Sequence, residues 1–430
     1  MKKNNISRNI IIKGLAMHLK GIPLKKINHL YNSNFKKYSL DQKDISFVNY
    51  LTSVSIRNRG VIEAVLNKYI KKKLPISGIS AKAGIILGVA QILFSKVPPH
   101  AAVNSTVNLY VGDLQKWRKL ANAVLRKILR EEVYLKKIRE DLSLTVPSWL
   151  YKDWQQQFGK KNTIKILKIY QQEPSLDIIV KNKIDLWEKK LNGVRLGKST
   201  IRIKPKGKIE NLRGYKEGHW WVQDIAAQIP VLLMGNIKNR NIFDLCAAPG
   251  GKTAQMLNAG ALVTALDISK ERVLQLSNNI KRIGLSKNLK LKVKDVMQYN
   301  PNSKADIVLL DAPCSGTGTF RKNPDVVWVK NKKNVIQNAS KQKKLILKAL
   351  SFLKKNGFLI YSNCSLQYEE GENLINDLCE KKIIYIDKIL RKELIDYPKE
   401  IFNKGLIRTL PFMYNSGMDG FFVARIKRAT

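Results

Sequence analysis

A chain of 430 residues is too long for a single hydrophobic core and calls for two or three domains. Its 78 Lys plus Arg against 33 Asp plus Glu leave a formal charge of +45, which suits a polyanionic partner such as nucleic acid, unless the lysines are only solvated surface. The four cysteines have no CxxC spacing, which excludes a disulfide framework and a zinc site, and the longest apolar run falls short of the roughly 20 residues of a membrane span. The amino terminus lacks the apolar core of a signal peptide, so a reducing, cytoplasmic protein without bound metal is expected.

From about residue 10 to 142 the pattern is helical. Ile85, Val89 and Ile92 follow one face of a 3.6-residue period, and Leu120, Val124 and Ile128 follow another. Pro98-Pro99-His100 marks a turn between helices. Arg118, Lys119, Arg126, Lys127 and Arg130 are interleaved with the later apolar stripe, as a phosphate-facing or an ordinary solvated surface. Residues 1–144 therefore read as an all-α bundle. Between 145 and 222 short mixed elements rich in Lys and Gly read as a small α/β connecting module. No internal repeat is apparent.

Residues 223–430 alternate strands and helices. Apolar runs at 242–245, 262–266, 289–293, 306–310 and 358–361 are candidate strands, and the helix after Ser269 has Val273, Leu276, Ile280 and Ile283 on one face. This rhythm predicts a mostly parallel, Rossmann-like sheet covered by helices. Residues 421–424 read as a late edge or hairpin strand.

The first strand of that domain runs into Cys246-Ala247-Ala248-Pro249-Gly250-Gly251-Lys252, where small residues let a ligand approach the backbone. Asp267 ends the next strand, placed to grip ribose hydroxyls, and Asp295 and Asp311 end the two after it. Any one acid alone would read as a cap or turn residue; together they outline a nucleoside pocket. The loop has neither the dinucleotide G-x-G-x-x-G nor a Walker A spacing. S-adenosylmethionine fits better.

Two thiols follow two of these strands. Cys314 lies in Asp311-Ala312-Pro313-Cys314-Ser315-Gly316-Thr317-Gly318, and Cys364 in Tyr361-Ser362-Asn363-Cys364-Ser365. At the carboxyl ends of an open α/β sheet both could face one substrate, and an ionised thiol is a strong nucleophile. Pattern alone leaves open which of them attacks. A free cysteine's commoner fate is that of a small buried hydrophobe, which suits Cys379 in its helical stretch.

These motifs, with Arg321-Lys322-Asn323-Pro324-Asp325, resemble the RNA cytosine-5 methyltransferases. The resemblance extends through Val97-Pro98-Pro99-His100-Ala101-Ala102-Val103-Asn104, Asn122-Ala123-Val124-Leu125-Arg126 and Pro147-Ser148-Trp149-Leu150 to the small-subunit ribosomal RNA members, in which a helical domain similar to the antitermination factor NusB precedes the catalytic part. It implies a multidomain chain: a NusB-like RNA-binding bundle over 1–144, the connecting module over 145–222 and an S-adenosylmethionine-dependent methyltransferase domain over 223–430. It also implies that residues 246–252 form the methionine loop, Asp267 holds the ribose, Asp295 lies by the adenine and Asp311 closes the site. In the implied chemistry Cys364 attacks a cytosine of 16S ribosomal RNA and Cys314 assists elimination. A monomer with no membrane partner is expected. The family's Thr before the strand-end cysteine is Asn363 here, and the proline ahead of its Glu pair is Tyr368. A competing reading is an RNA-binding antitermination or assembly factor with a vestigial methyltransferase domain; the two paired thiols speak against it.

Overall fold

The computed structural model describes residues 3–72, 74–204, 207–414 and 416–429. The chain divides into two units. One runs from the amino terminus to Gln171 and takes in Asn323–Asn331; the other comprises Gln172–Lys322 and the chain from Lys332 onward. Residue 144, the expected end of the helical domain, lies inside the first unit.

That unit contains α1 (Lys3–Leu19), α2 (Leu24–Lys37), α3 (Gln42–Arg57), α4 (Arg59–Tyr69), α5 (Ile79–Phe94), α6 (Pro99–Val107), α7 (Arg118–Arg130), α8 (Glu132–Glu140) and α9 (Ser148–Tyr170). A helix that is apolar all round belongs in a core, and α5 is buried along most of its length. The stretch Ile76–Phe94 is long and apolar enough to cross a membrane, but 61% of it is buried inside the bundle. Its one interior amide is satisfied: Arg8 Nε donates to Gln91 Oε1 at 3.0 Å, and Gln91 Nε2 donates to Thr106 Oγ1 at 3.1 Å. The amphipathic α7 buries Ala121, Val124, Leu125 and Ile128 and turns Lys119, Arg126, Lys127 and Arg130 outward. Helix α9 bends at Gly159, where φ is 76°. It stays with the bundle because its end is anchored there. Tyr170 is fully buried, and the Arg57 guanidinium lies 4.9 Å from its ring centroid.

The second unit opens with β1 (Leu176–Val180), α10 (Ile184–Lys190), β2 (Val194–Arg195), β3 (Thr200–Ile203) and β4 (Trp220–Val222), whose strands form an antiparallel sheet in the order β2-β3-β1-β4. Asp177 and Arg202 pair across it, with Nε–Oδ1 at 2.7 Å, and both are buried. After α11 (Ile225–Leu232) come β5 (Asn241–Leu245), α12 (Gly251–Asn258), β6 (Leu262–Asp267), α13 (Lys270–Arg282), β7 (Leu289–Val293) and β8 (Ala305–Asp311). The short α14 (Val326–Val329) belongs to the first unit, where Asp325 Oδ2 accepts from Leu24 N at 2.8 Å and Trp328 packs beneath Arg59. Then follow α15 (Lys332–Leu350), β9 (Leu353–Asn363), α16 (Glu372–Glu380), β10 (Ile384–Ile386), β11 (Phe402–Asn403), β12 (Leu406–Thr409) and β13 (Phe421–Arg428).

The large sheet runs β11-β12-β13-β9-β8-β5-β6-β7, with β10 on β13. From β7 to β9 it is parallel, and the remaining pairs are antiparallel. The candidate strands at 242–245, 262–266, 289–293, 306–310 and 358–361 all lie within observed strands. Ser269 caps α13, accepting from Arg272 N. The terminal strand, however, is not at an edge. β13 lies between β9 and β12, because the short β10, β11 and β12, too brief to show an alternation of their own, all add beyond β9. Chain order reverses at β5, which has β6 on one side and β8 on the other. The crevice beyond the carboxyl ends of these strands is where an open α/β sheet binds its ligands.

Candidate active site

Register fixes what meets at that edge. Leu245 is level with Leu266 on β6 and with Leu310 on β8, so Asp267, Cys246 and Asp311 follow at one level, with Asp244 two residues behind. The loop after β5 is held tightly. Cys246 has φ 61°, the Ala248–Pro249 peptide is cis, and Gly250 has φ 101°. A Cβ on Gly250 would also stand 2.7 Å from Leu276 Cγ, so glycine is required there twice over. Asp267, 2% exposed, receives Ala248 N at 3.2 Å and Ser269 N at 3.1 Å, and pairs with Arg272 at 3.0 Å. Arg272 also donates to the Ala248 carbonyl. Lys252 Nζ lies 2.8 Å from Asp311 Oδ2, and Ser362 Oγ donates to Asp311 Oδ1 at 3.0 Å.

Asp244, absent from the candidate residues read off the sequence, is the least satisfied acid here. Thr253 Oγ1 donates to its Oδ2 at 2.6 Å, but its fully buried Oδ1 has no partner among the described residues. Burial, opposed by the Thr253 hydrogen bond and reinforced by the nearby Asp311 and Asp267 charges, pushes its carboxyl up to about 7. A cationic ligand would relieve both defects. S-adenosylmethionine carries a sulfonium and an ammonium, so the residues present fit it. Burial, with the same neighbouring acids, pushes the Cys246 thiol up to about 12, which removes it as a nucleophile. Asp295 is half-buried after β7 and accepts from Met297 N at 2.9 Å, a turn-capping bond.

The two thiols come together: Cys314 Sγ and Cys364 Sγ are 3.4 Å apart, both partly buried and unbridged. The Cys314 thiol is held well above its usual value, first by the hydrogen bond with Cys364, then by burial and by the charges of Cys364 and Glu370. The loop bearing Cys314 is threaded under the one bearing Cys364. Gly318 N donates to Cys364 O at 2.8 Å, and a side chain at Gly318 would strike the Gly420 carbonyl. Arg408, buried, donates to the Ser365 carbonyl and is neutralised by Glu372, with Nε–Oε1 at 3.0 Å. Asn363, where the resembled family has Thr, is built into this framework: its Nδ2 donates to Glu370 O at 2.7 Å and its Oδ1 accepts from Ser365 N at 3.0 Å. The only sequence signal for Glu370 was its place in the Glu pair after Cys364; nothing local marked Gln342.

A sheet reversing at β5, a glycine-rich loop and acids at its carboxyl edge define an S-adenosylmethionine-dependent methyltransferase. Residues 231–427 match the family described as 16S rRNA methyltransferase RsmB/F, and residues 6–130 match the NusB family. The chain is 30% identical over 365 residues to ribosomal RNA small subunit methyltransferase B of Photorhabdus laumondii, covering 80% of this chain and 81% of that protein. With the protein of the same name from Proteus mirabilis it shares 28% identity over the full length of both. The crystal structure of NSun6 from Pyrococcus horikoshii with SFG shares the fold, with a TM-score of 0.55 and 22% identity over 66% of this chain and 98% of that one. The chain belongs to the RsmB/F methyltransferase family, with a NusB domain ahead of the catalytic part.

Proposed function

We propose that the protein transfers a methyl group to carbon 5 of a cytosine in small-subunit ribosomal RNA through a covalent cysteine–cytosine intermediate. The observation that carries this reading is the 3.4 Å thiol pair at the ends of β8 and β9, beside the acid-lined loop. Carbon 5 of cytosine is too weak a nucleophile to take a methyl group unaided. Addition of the Cys364 thiolate to carbon 6 makes the ring an enamine and activates carbon 5. Bound S-adenosylmethionine supplies the electrophilic methyl group. The 246–252 backbone, Asp244 and Asp267 would hold it, with Asp311 facing the base. A base must then take the carbon 5 proton before Cys364 can leave. Cys314, 3.4 Å from the departing sulfur, would take that proton as its thiolate, its own proton having passed to solvent beforehand.

The target base has to leave its stack, which favours a loop or single-stranded segment. Such an RNA substrate places the protein in the cytoplasm. The outward basic row of α7 would bind phosphates, with an affinity that falls as salt rises. The deciding experiment is gel analysis of both thiol variants with labelled cofactor and ribosomal RNA. Cys364→Ala should form no adduct, whereas Cys314→Ala should accumulate a methylated, denaturation-resistant protein–RNA adduct. The opposite pattern would reverse the two roles, and no adduct in either would remove the covalent mechanism.

A further inference from the structure

The β8–β9 ladder ends at Asp311 and Ser362, with one further bond from Ala312 N to Ser362 O at 2.8 Å. Both cysteines lie beyond it, where Gly318 N to Cys364 O at 2.8 Å, Ser315 Oγ to Ser365 Oγ at 2.9 Å and Leu366 N to Thr317 Oγ1 at 3.0 Å tie the two loops directly. Glu370 adds a further bridge that flanks both cysteines. The carboxylate of Glu370, fully buried, accepts from Ser315 N at 2.8 Å and from Ser315 Oγ, immediately after Cys314. Its own carbonyl accepts from Asn363 Nδ2 at 2.7 Å, immediately before Cys364. Gln342 of α15 backs the same bridge: its Nε2 donates to Pro313 O at 2.9 Å and to Glu370 Oε1 at 3.2 Å, while its Oε1 faces the Tyr361 hydroxyl at 3.1 Å. The Tyr361 hydroxyl lies 2.7 Å from the Glu370 carbonyl.

We infer that Glu370 is a positioning residue that clamps the Cys314 loop to the Cys364 strand end and so sets the separation of the two thiols during turnover. The inference rests on the thiol chemistry proposed above. Three features support it. A buried carboxylate is costly unless its acceptors are filled, and the donors that fill this one belong to the loop it would hold. Deleting the side chain strands the buried Ser315 amide rather than exposing it to water. The main-chain half of the clamp uses Asn363, so the side chain that replaces the family's Thr is itself part of the bridge.

A displacement of about 1 Å at a reacting group costs on the order of a hundredfold in rate. Glu370→Ala should therefore lower kcat by on the order of a hundredfold, with the KM for RNA and the cofactor affinity changed by no more than about twofold. Glu370→Gln keeps one acceptor oxygen for Ser315 and should recover about a tenth or more of the wild-type kcat. Steady-state kinetics on folded variants, with calorimetry for the cofactor, would measure both. A Glu370→Ala enzyme with wild-type kcat overturns the clamp, as does a kcat loss matched by an equal loss of cofactor affinity. If Glu370→Ala does not fold, Glu370→Asp, one methylene too short to reach Ser315, takes its place, and an unchanged kcat there overturns the inference equally. Failure of the underlying chemistry would show elsewhere, as the absence of an adduct in Cys314→Ala with Glu370 intact.

Discussion

The loops after β5 and β6 and the loops after β8 and β9 share one edge of one sheet but are stabilised in different ways. Around the first pair, charges are paired locally: Asp267 with Arg272 five residues on, Asp244 with Thr253 nine residues on. One carboxylate oxygen there, Asp244 Oδ1, has no partner among the described residues. Around the second pair the bonds come from far along the chain. Ser315 is held by Glu370, Ser365 by Arg408 and Pro313 by Gln342, leaving the two thiols facing each other. A cofactor site can leave a buried charge for its ligand to complete. A pair of reacting thiols, as proposed for Cys364 and Cys314, has to be held in place before the substrate arrives, because its reacting atoms must already lie at the right distance.

The strongest way to break this contrast is to remove one cysteine from each half. Cys364→Ala should lower turnover by on the order of a thousandfold or more, since in the proposed mechanism Cys364 forms the carbon 6 bond. Cys246→Ala should leave turnover within about tenfold of wild type, because that thiol keeps its proton at neutral pH and packs against the core. Methylation assays on folded variants would test both; comparable losses would erase the distinction.

Within the cofactor half, Asp267→Ala should weaken S-adenosylmethionine binding by on the order of tenfold or more, while also releasing Ala248 N and Arg272. Calorimetry showing unchanged affinity in the folded variant would remove Asp267 from the site.

The smallest expected effect sharpens the comparison through pH. Asp244 titrates near 7 in the folded chain, above its ordinary value, so it is largely neutral at pH 6 and ionised at pH 8. Affinity for the cationic cofactor should rise by several-fold between about pH 6 and about pH 8, and binding near pH 7 should release a proton. Asp244→Asn should flatten the profile. The sign for stability is opposite: the folded state holds this proton more tightly than the unfolded chain does. The contribution is present at low pH and is lost as pH climbs from about 4 through about 7. A pH-independent cofactor affinity in the wild-type protein would mean that Asp244 does not face the ligand.

Much of this architecture is written in short-range pattern. The helical periods of α5, α7 and α13 and the apolar runs of the parallel strands depend on neighbours three or four residues away. The strand-end positions of Cys314, Cys364, Asp267 and Asp311 follow from those runs. Asp295 was equally legible as a strand-end acid, yet its carboxylate is turned to the Met297 amide. A residue's place at a strand end is local information, whereas the direction of its side chain is not.

The sequence by itself determined the alternation of elements, the glycine-dependent loop at 246–252 and the presence of two thiols after two strands, because dihedral preference and hydrophobic period act within a turn or a strand. Tertiary structure alone decided that β13 lies inside the sheet, that Asn323–Asn331 joins the helical unit and that α9 stays with the bundle. It alone brought Cys314 to 3.4 Å from Cys364, buried Asp244 with one empty acceptor and set Glu370 between the two loops. Each of these depends on contacts between residues tens of positions apart, and such contacts form only when burial and hydrogen bonding are satisfied across the whole sheet edge at once.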